Sequence, residues 1–146
     1  GISEYPAAPW TGTRREELIV TKEDVRAAID NDEVILINSL SEADFRGETT
    51  TYPRPGHIPG SKHAFFGGHS DPATRLLYSD DVLRATFEKL GALDLNKKVI
   101  TYCGGGIAAT WNALLLNKLG QENVAIYDGS MNEWASDESC PLVTLV

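Results

Sequence analysis

Apolar residues fall into three short, unbroken runs: "EVILIN" at 33–38, "KKVITYC" at 97–103 and "NVAIYDG" at 123–129. Each is brief and rich in β-branched side chains, which predicts strands buried on both faces. Between them the apolar spacing lengthens to that of helices. In "TKEDVRAAID" Val25, Ala28 and Ile29 share a face, with Thr21 as cap and acidic residues in the first turn. In "SDDVLRATFEKLG" Ser79 is the expected cap, Leu83, Phe87 and Leu90 form the stripe, and Gly91 ends the helix. "AATWNALLLNKLG", from Ala108, is apolar almost all round: Trp111, Leu115 and Leu119 lie on one side, Leu114 and Leu116 on another. A helix of that kind packs on more than one face. "SEADF" and "SMNEWA" predict short helices capped by Ser41 and Ser130. From Gly47 to Gly68 the chain is rich in Gly, Pro and Thr and reads as loop, with a short strand near "SKHAFF".

Buried strands alternating with helices predict the α/β class, a mainly parallel sheet with helices on both faces. Residues 1–20, with their prolines and glycines, read as an extended lead-in, and residues 21–146 as a single domain. The length of 146 residues suits that count. No internal repeat or low-complexity tract interrupts it.

Charge narrows the partners. The net charge is −8 and no Lys/Arg cluster stands out, which argues against nucleic acid. A field of that sign draws no small anion inward, so a site for one must supply its own attraction. No apolar stretch reaches the length of a membrane span, and the chain reads as soluble. The two cysteines, Cys103 and Cys140, form neither a disulfide framework nor a metal-type spacing. A reducing, cytoplasmic compartment is the simpler expectation.

The chemistry concentrates at "VITYCGGGIAAT", 99–110. In parallel sheets the working end is where strands finish and loops lead into helices. Cys103 is placed there, at the close of a strand. Gly104, Gly105 and Gly106 then turn the chain into the helix that starts near Ala108. Glycines let successive N–H groups face one concavity, an anion-binding nest, and the helix N-terminus adds its own free N–H groups. Such donors stabilise a thiolate and hold an anion beside it without a charged side chain. The bland alternatives are a buried cysteine and a tight turn. The strand end, the three glycines and the following helix together outweigh them. The Lys-Ser/Thr ending of a phosphate-binding P-loop is missing.

Three stretches together resemble the rhodanese-type sulfurtransferases: "FRG" at 45–47 followed by "RPGHIPGSKHA" at 54–64, "VITYCGGGIAAT", and "VAIYDGSMNEW" at 124–134. They occur in the family's order and spacing, and the match is most similar to the catalytic half of the two-domain thiosulfate and mercaptopyruvate enzymes. The resemblance implies the rhodanese-like three-layer fold and covalent catalysis. Cys103 would take sulfane sulfur from a small anionic donor as a persulfide, then pass it to a thiol or to cyanide, with ping-pong kinetics. The backbone of Gly104, Gly105, Gly106, Ile107 and Ala108 would hold the persulfide and the donor's charge. Neither a metal nor an organic cofactor is implied. A partner domain or protein as acceptor fits the same reading. The alternative is a rhodanese-like binding or sulfur-carrier module without turnover. Related phosphatases use a loop one residue longer, closed by an arginine. Here Ala109 and Thr110 follow Ala108, and no planar fork for phosphate is present.

The chain departs from the family at two places. Asn38-Ser39-Leu40 stands where Asp-x-Arg is usual, and "GGGIA" has neither the basic residues of the thiosulfate enzymes nor the Ser-Gly-Val-Thr type loop of the mercaptopyruvate enzymes. The nearest candidates for outside positive charge are Arg46, Arg54 and Lys62, each of which reads individually as a solvated residue. His57, His63 and His69 recur every six residues, a spacing that suits no ligand pair, and His57 reads as structural to its turn. Cys140 reads as a partly buried residue without a role, Trp111 as core, and Trp134 as a plug under the sheet.

Overall fold

The three apolar runs lie side by side. In the computed structural model, which describes residue 9, residues 11–13 and residues 15–145, they form β2 (Val34–Asn38), β4 (Lys98–Tyr102) and β5 (Val124–Tyr127). Two short strands complete the sheet: β1 (Ile19–Val20) beside β5, and β3 (Lys62–His63) beside β2. The order is β1-β5-β4-β2-β3 and every pairing is parallel. The register of β2 with β4 runs from Val34↔Lys98 to Asn38↔Tyr102 and brings the ends of both strands level. Half of the expected lead-in (residues 1–8, 10 and 14) lies outside the described residues. Its last two residues, Ile19 and Val20, are a sheet edge.

Parallel neighbours need crossovers, and helices supply them. They are α1 (Lys22–Ala28), α2 (Glu42–Arg46), α3 (Asp80–Glu88) and α4 (Ile107–Lys118); a fifth helix, α5 (Ser130–Trp134), follows β5. Side chains alternate along each strand, so the sheet has two apolar faces. Leu36, Ile100, Tyr102 and Tyr127 pack with Val25 and Ala28 of α1 and Met131 and Trp134 of α5. Ile35, Ile37, Val99 and Val124 pack with Leu83 and Phe87 of α3 and Leu115 and Leu116 of α4. Helices therefore cover both faces. Full burial of each such side chain contributes roughly 1.5–3 kcal/mol, which is why the strand runs needed no polar alternation.

Thr21 caps α1 in a reciprocal box with Asp24, and Ser41 caps α2. Two capping expectations are corrected. Ser79 stands at the N-cap of α3, but its hydroxyl bonds no helix N–H. Ser130 is the first residue of α5 rather than its cap, and its hydroxyl is used elsewhere. The reading of α4 is also revised in part: Leu115, Leu116 and Leu119 are buried, whereas Leu114 is 57% exposed.

Candidate functional site

β4 delivers the cysteine. Its last residue, Tyr102, is fully buried; the phenol accepts from Ile58 N–H at 3.1 Å and donates to Ser61 Oγ at 2.9 Å. Burial pushes that phenol up to about 12, so it stays a neutral donor. Its carbonyl accepts from Ser39 N–H at 2.8 Å, which fixes the end of β4 against the end of β2. The neighbouring Asn38 turns its Oδ1 to Leu40 N–H at 2.8 Å and leaves Nδ2 buried without a partner. Cys103 follows at 2% exposure, within the same apolar cluster as Tyr102 and Met131. The sulfur is therefore set into the molecule and is not bare.

The loop after it is held from two sides. Ser130 adopts a left-handed backbone, φ 50°, that non-glycine residues rarely take. Its buried hydroxyl accepts from Cys103 N–H at 3.1 Å and from Gly106 N–H at 3.2 Å, and donates to Tyr127 O at 2.7 Å. One side chain thereby ties both ends of the turn to the end of β5. The first turn of α5 holds the carbonyls: Met131 N–H donates to Cys103 O at 3.0 Å and Asn132 N–H to Gly104 O at 2.9 Å. Gly106 is left-handed at φ 81°, and a Cβ there would stand 2.3 Å from Asp128 Oδ1 and 3.2 Å from Asp128 O. Only glycine makes that turn at no cost.

These anchors sort the loop's N–H groups. Those of Cys103 and Gly106 are taken by Ser130, so Gly106 serves by its conformation rather than as a free donor. Among the described residues, no protein acceptor takes the N–H of Gly104, Gly105, Ile107 or Ala108, and none of them donates to the Cys103 sulfur. The last two open the twelve-residue α4, where free N–H groups and the positive end of the helix dipole coincide. The loop thus carries four N–H groups without a protein acceptor directly after Cys103 in the chain.

The basic residues do not join them. Arg54 turns its guanidinium to the carbonyls of Trp134, Ala135, Asp137 and Cys140 at 2.7–3.0 Å. It is a half-buried clamp on the segment after α5, not the solvated residue expected. Arg46 bonds Glu48 and Leu145 O. Lys62 opens β3 and lines a cleft with Asp30, Asn31 and Lys97 whose lining does not include the Cys103 loop. Tyr52, from the Gly- and Pro-rich loop, is the close neighbour: a Cβ on Gly104 would stand 2.3 Å from its hydroxyl. Sequence reasoning missed both Tyr52 and the use of Ser130. A tyrosine in a loop has no periodicity to betray it, and a serine before a short helix looks like a cap.

The histidines are structural. His57 Nδ1–H donates to Phe45 O at 2.6 Å while its ring stacks on Phe45 at 3.7 Å. His63 Nε2–H donates to Leu40 O, and His69 Nε2–H to Asn112 Oδ1 at 2.7 Å. Asn112 in turn donates to Ser39 Oγ and Ala64 O, which fixes its amide orientation and hence the His69 tautomer. Among the described residues, no three His, Cys, Asp or Glu side chains stand together as a metal would need. Cys140 is 1% exposed rather than partly buried, and burial pushes its thiol up. Trp134 is fully buried, with Nε1–H donating to Pro141 O.

The family model described as "Rhodanese-like domain" matches residues 21–137, which include every element from α1 to α5. The chain belongs to the rhodanese-like domain family. It is 36% identical over 135 residues to thiosulfate/3-mercaptopyruvate sulfurtransferase 2 of Arabidopsis thaliana, covering 88% of this chain and 38% of that protein. It is 33% identical over 138 residues to human 3-mercaptopyruvate sulfurtransferase, covering 92% and 46%. The chain thus spans less than half the length of these two curated relatives. A structure of an EanB variant in complex with ergothioneine superposes with a TM-score of 0.85 at 21% identity, covering 97% of this chain and 36% of that one. This likeness shows the shared rhodanese-like fold. Among the described residues no helix is long and apolar enough to cross a membrane.

Proposed function

We propose that this rhodanese-like chain is a sulfurtransferase that carries sulfane sulfur as a persulfide on Cys103. The observation that supports it best is the group of four unpaired N–H donors, from Gly104, Gly105, Ile107 and Ala108, at the end of the strand that delivers the cysteine. In the first step the Cys103 thiolate attacks the outer sulfur of a donor. The new S–S bond forms as the donor's bond to that sulfur breaks, and the electron pair leaves with the donor's remainder, sulfite in the case of thiosulfate. In the second step a thiolate or cyanide attacks the same outer sulfur and the pair returns to Cys103. N–H groups left free beside the sulfur favour this chemistry because negative charge resides on the outer sulfur in the persulfide state and spreads through it in both transition states. Ser130 and the first turn of α5 hold the loop open beforehand, so no reorganisation is required at the moment of transfer.

Donors of the thiosulfate and mercaptopyruvate type are the anionic classes the relatives' names point to. The test is steady-state thiocyanate formation from cyanide with each donor in turn. Parallel double-reciprocal lines, lost in Cys103→Ser, support the proposal. Intersecting lines that survive the substitution contradict it. A persulfide that forms but turns over slowly identifies the carrier form of the same chemistry.

A further inference from the structure

Among the described residues, Tyr52 is a partly buried side-chain donor beside the loop that no protein group uses. Its hydroxyl fills the space a Gly104 Cβ would occupy, with Oη 2.3 Å and Cζ 3.2 Å from that position. Tyr52 packs against the apolar cluster that contains Cys103. Among the described residues its phenol neither gives nor takes a hydrogen bond. It is not sealed in either, since the buried side-chain atom without a partner is Asn38 Nδ2. The other hydroxyl at the loop, that of Ser130, is fully committed to Tyr127 O. Arg46 and Arg54 bond groups other than the loop, and Lys62 lines a different cleft. Burial and the negative charges of Asp44 and the Cys103 thiolate hold the phenol above its ordinary range, so it remains an O–H donor.

We infer that Tyr52 is a catalytic residue of the sulfur-loading step: its phenol donates a hydrogen bond to the group that leaves, at an oxygen of the sulfite or sulfinate, when Cys103 takes the sulfane sulfur. The inference rests on the sulfurtransferase reading. The Cys103 sulfur forms the new S–S bond, the bond to the leaving group breaks, and the electron pair goes to that group. The phenol keeps its proton and stabilises the growing negative charge. The missing Cβ at Gly104 has a role in this account, because it leaves room for the hydroxyl.

The test is single-turnover loading, followed by intact mass, with thiosulfate and with a series of arylthiosulfonates whose sulfinate leaving groups differ in basicity. Tyr52→Phe removes only the oxygen. Loading from thiosulfate is expected to slow about tenfold, with a smaller penalty as the leaving group becomes less basic. Removal of the sulfur by cyanide is expected to change less than about twofold. Gly104→Ala places its methyl where the hydroxyl stands and is expected to slow loading similarly, without adding to Tyr52→Phe. Equal loading by Tyr52→Phe overturns the inference, as does a penalty indifferent to the leaving group or equal slowing of both steps. If the parent protein loads from no donor, the sulfurtransferase reading fails and takes the inference with it. A parent that loads while Tyr52→Phe loads equally well sinks the inference alone.

Discussion

Replacing Ser130 with alanine removes one oxygen and disturbs three hydrogen bonds. Cys103 N–H and Gly106 N–H lose their acceptor, and Tyr127 O loses a donor, all at a residue with no solvent exposure. Each buried N–H left unmade costs about 1–3 kcal/mol. Two of them place Ser130→Ala about 2–4 kcal/mol below the parent once partial relaxation of the loop is allowed. For a chain of this size about 3 °C of melting temperature accompanies each kcal/mol, so a fall of about 6–12 °C is expected. Ser130→Gly separates the hydroxyl from the backbone. It loses the same bonds but relieves the left-handed φ of 50°, which recovers about 1 kcal/mol. Urea unfolding followed by circular dichroism gives both numbers. The order expected is parent, then Ser130→Gly, then Ser130→Ala. An alanine variant within about 0.5 kcal/mol of the parent would refute the claim that this hydroxyl shapes the loop. An alanine variant more stable than the glycine variant would refute the backbone argument.

Two further outcomes are expected. Gly106→Ala forces a methyl to within 2.3 Å of Asp128 Oδ1 at φ 81°, so it loses about 2 kcal/mol and loads little sulfur; a variant with parental stability and loading contradicts this. His57 and His69 are both held below their ordinary value of 6.5, chiefly by burial. The unfolded chain then binds more protons than the native one as pH falls through that value. Stability is full above it and declines below it, by at most about 1.4 kcal/mol per pH unit for each ring. Urea midpoints between about pH 7.5 and about pH 5.5 should fall, and less steeply in His69→Gln; midpoints that rise on acidification contradict the reading.

The central strands were legible because burial on both faces leaves an unbroken apolar run, as in "VILIN" and "KVITY". The short strand expected near "SKHAFF" is β3, but the edge strand β1 was not read: two residues cannot express a period, and their pairing is a tertiary event. The position of Cys103 could be read from the glycines that follow it, since three in a row before a helix have few other uses. The grip on that loop could not, because Ser130, Met131 and Asn132 reach it from α5 through contacts with no sequence spacing to announce them. Arg54 misled for a related reason: an arginine in a loop reads as solvated unless the four carbonyls it binds are known. Exposed Leu114 shows that an apolar composition alone does not establish burial.

The account stands on sulfur carried by Cys103. Intact mass after brief exposure to thiosulfate, and separately to mercaptopyruvate, tests it most directly. The account predicts a gain of one sulfur atom with at least one donor, mapped to Cys103, discharged by cyanide and absent in Cys103→Ser. Unchanged mass with every donor, or added sulfur that persists in Cys103→Ser or maps to Cys140, would contradict it.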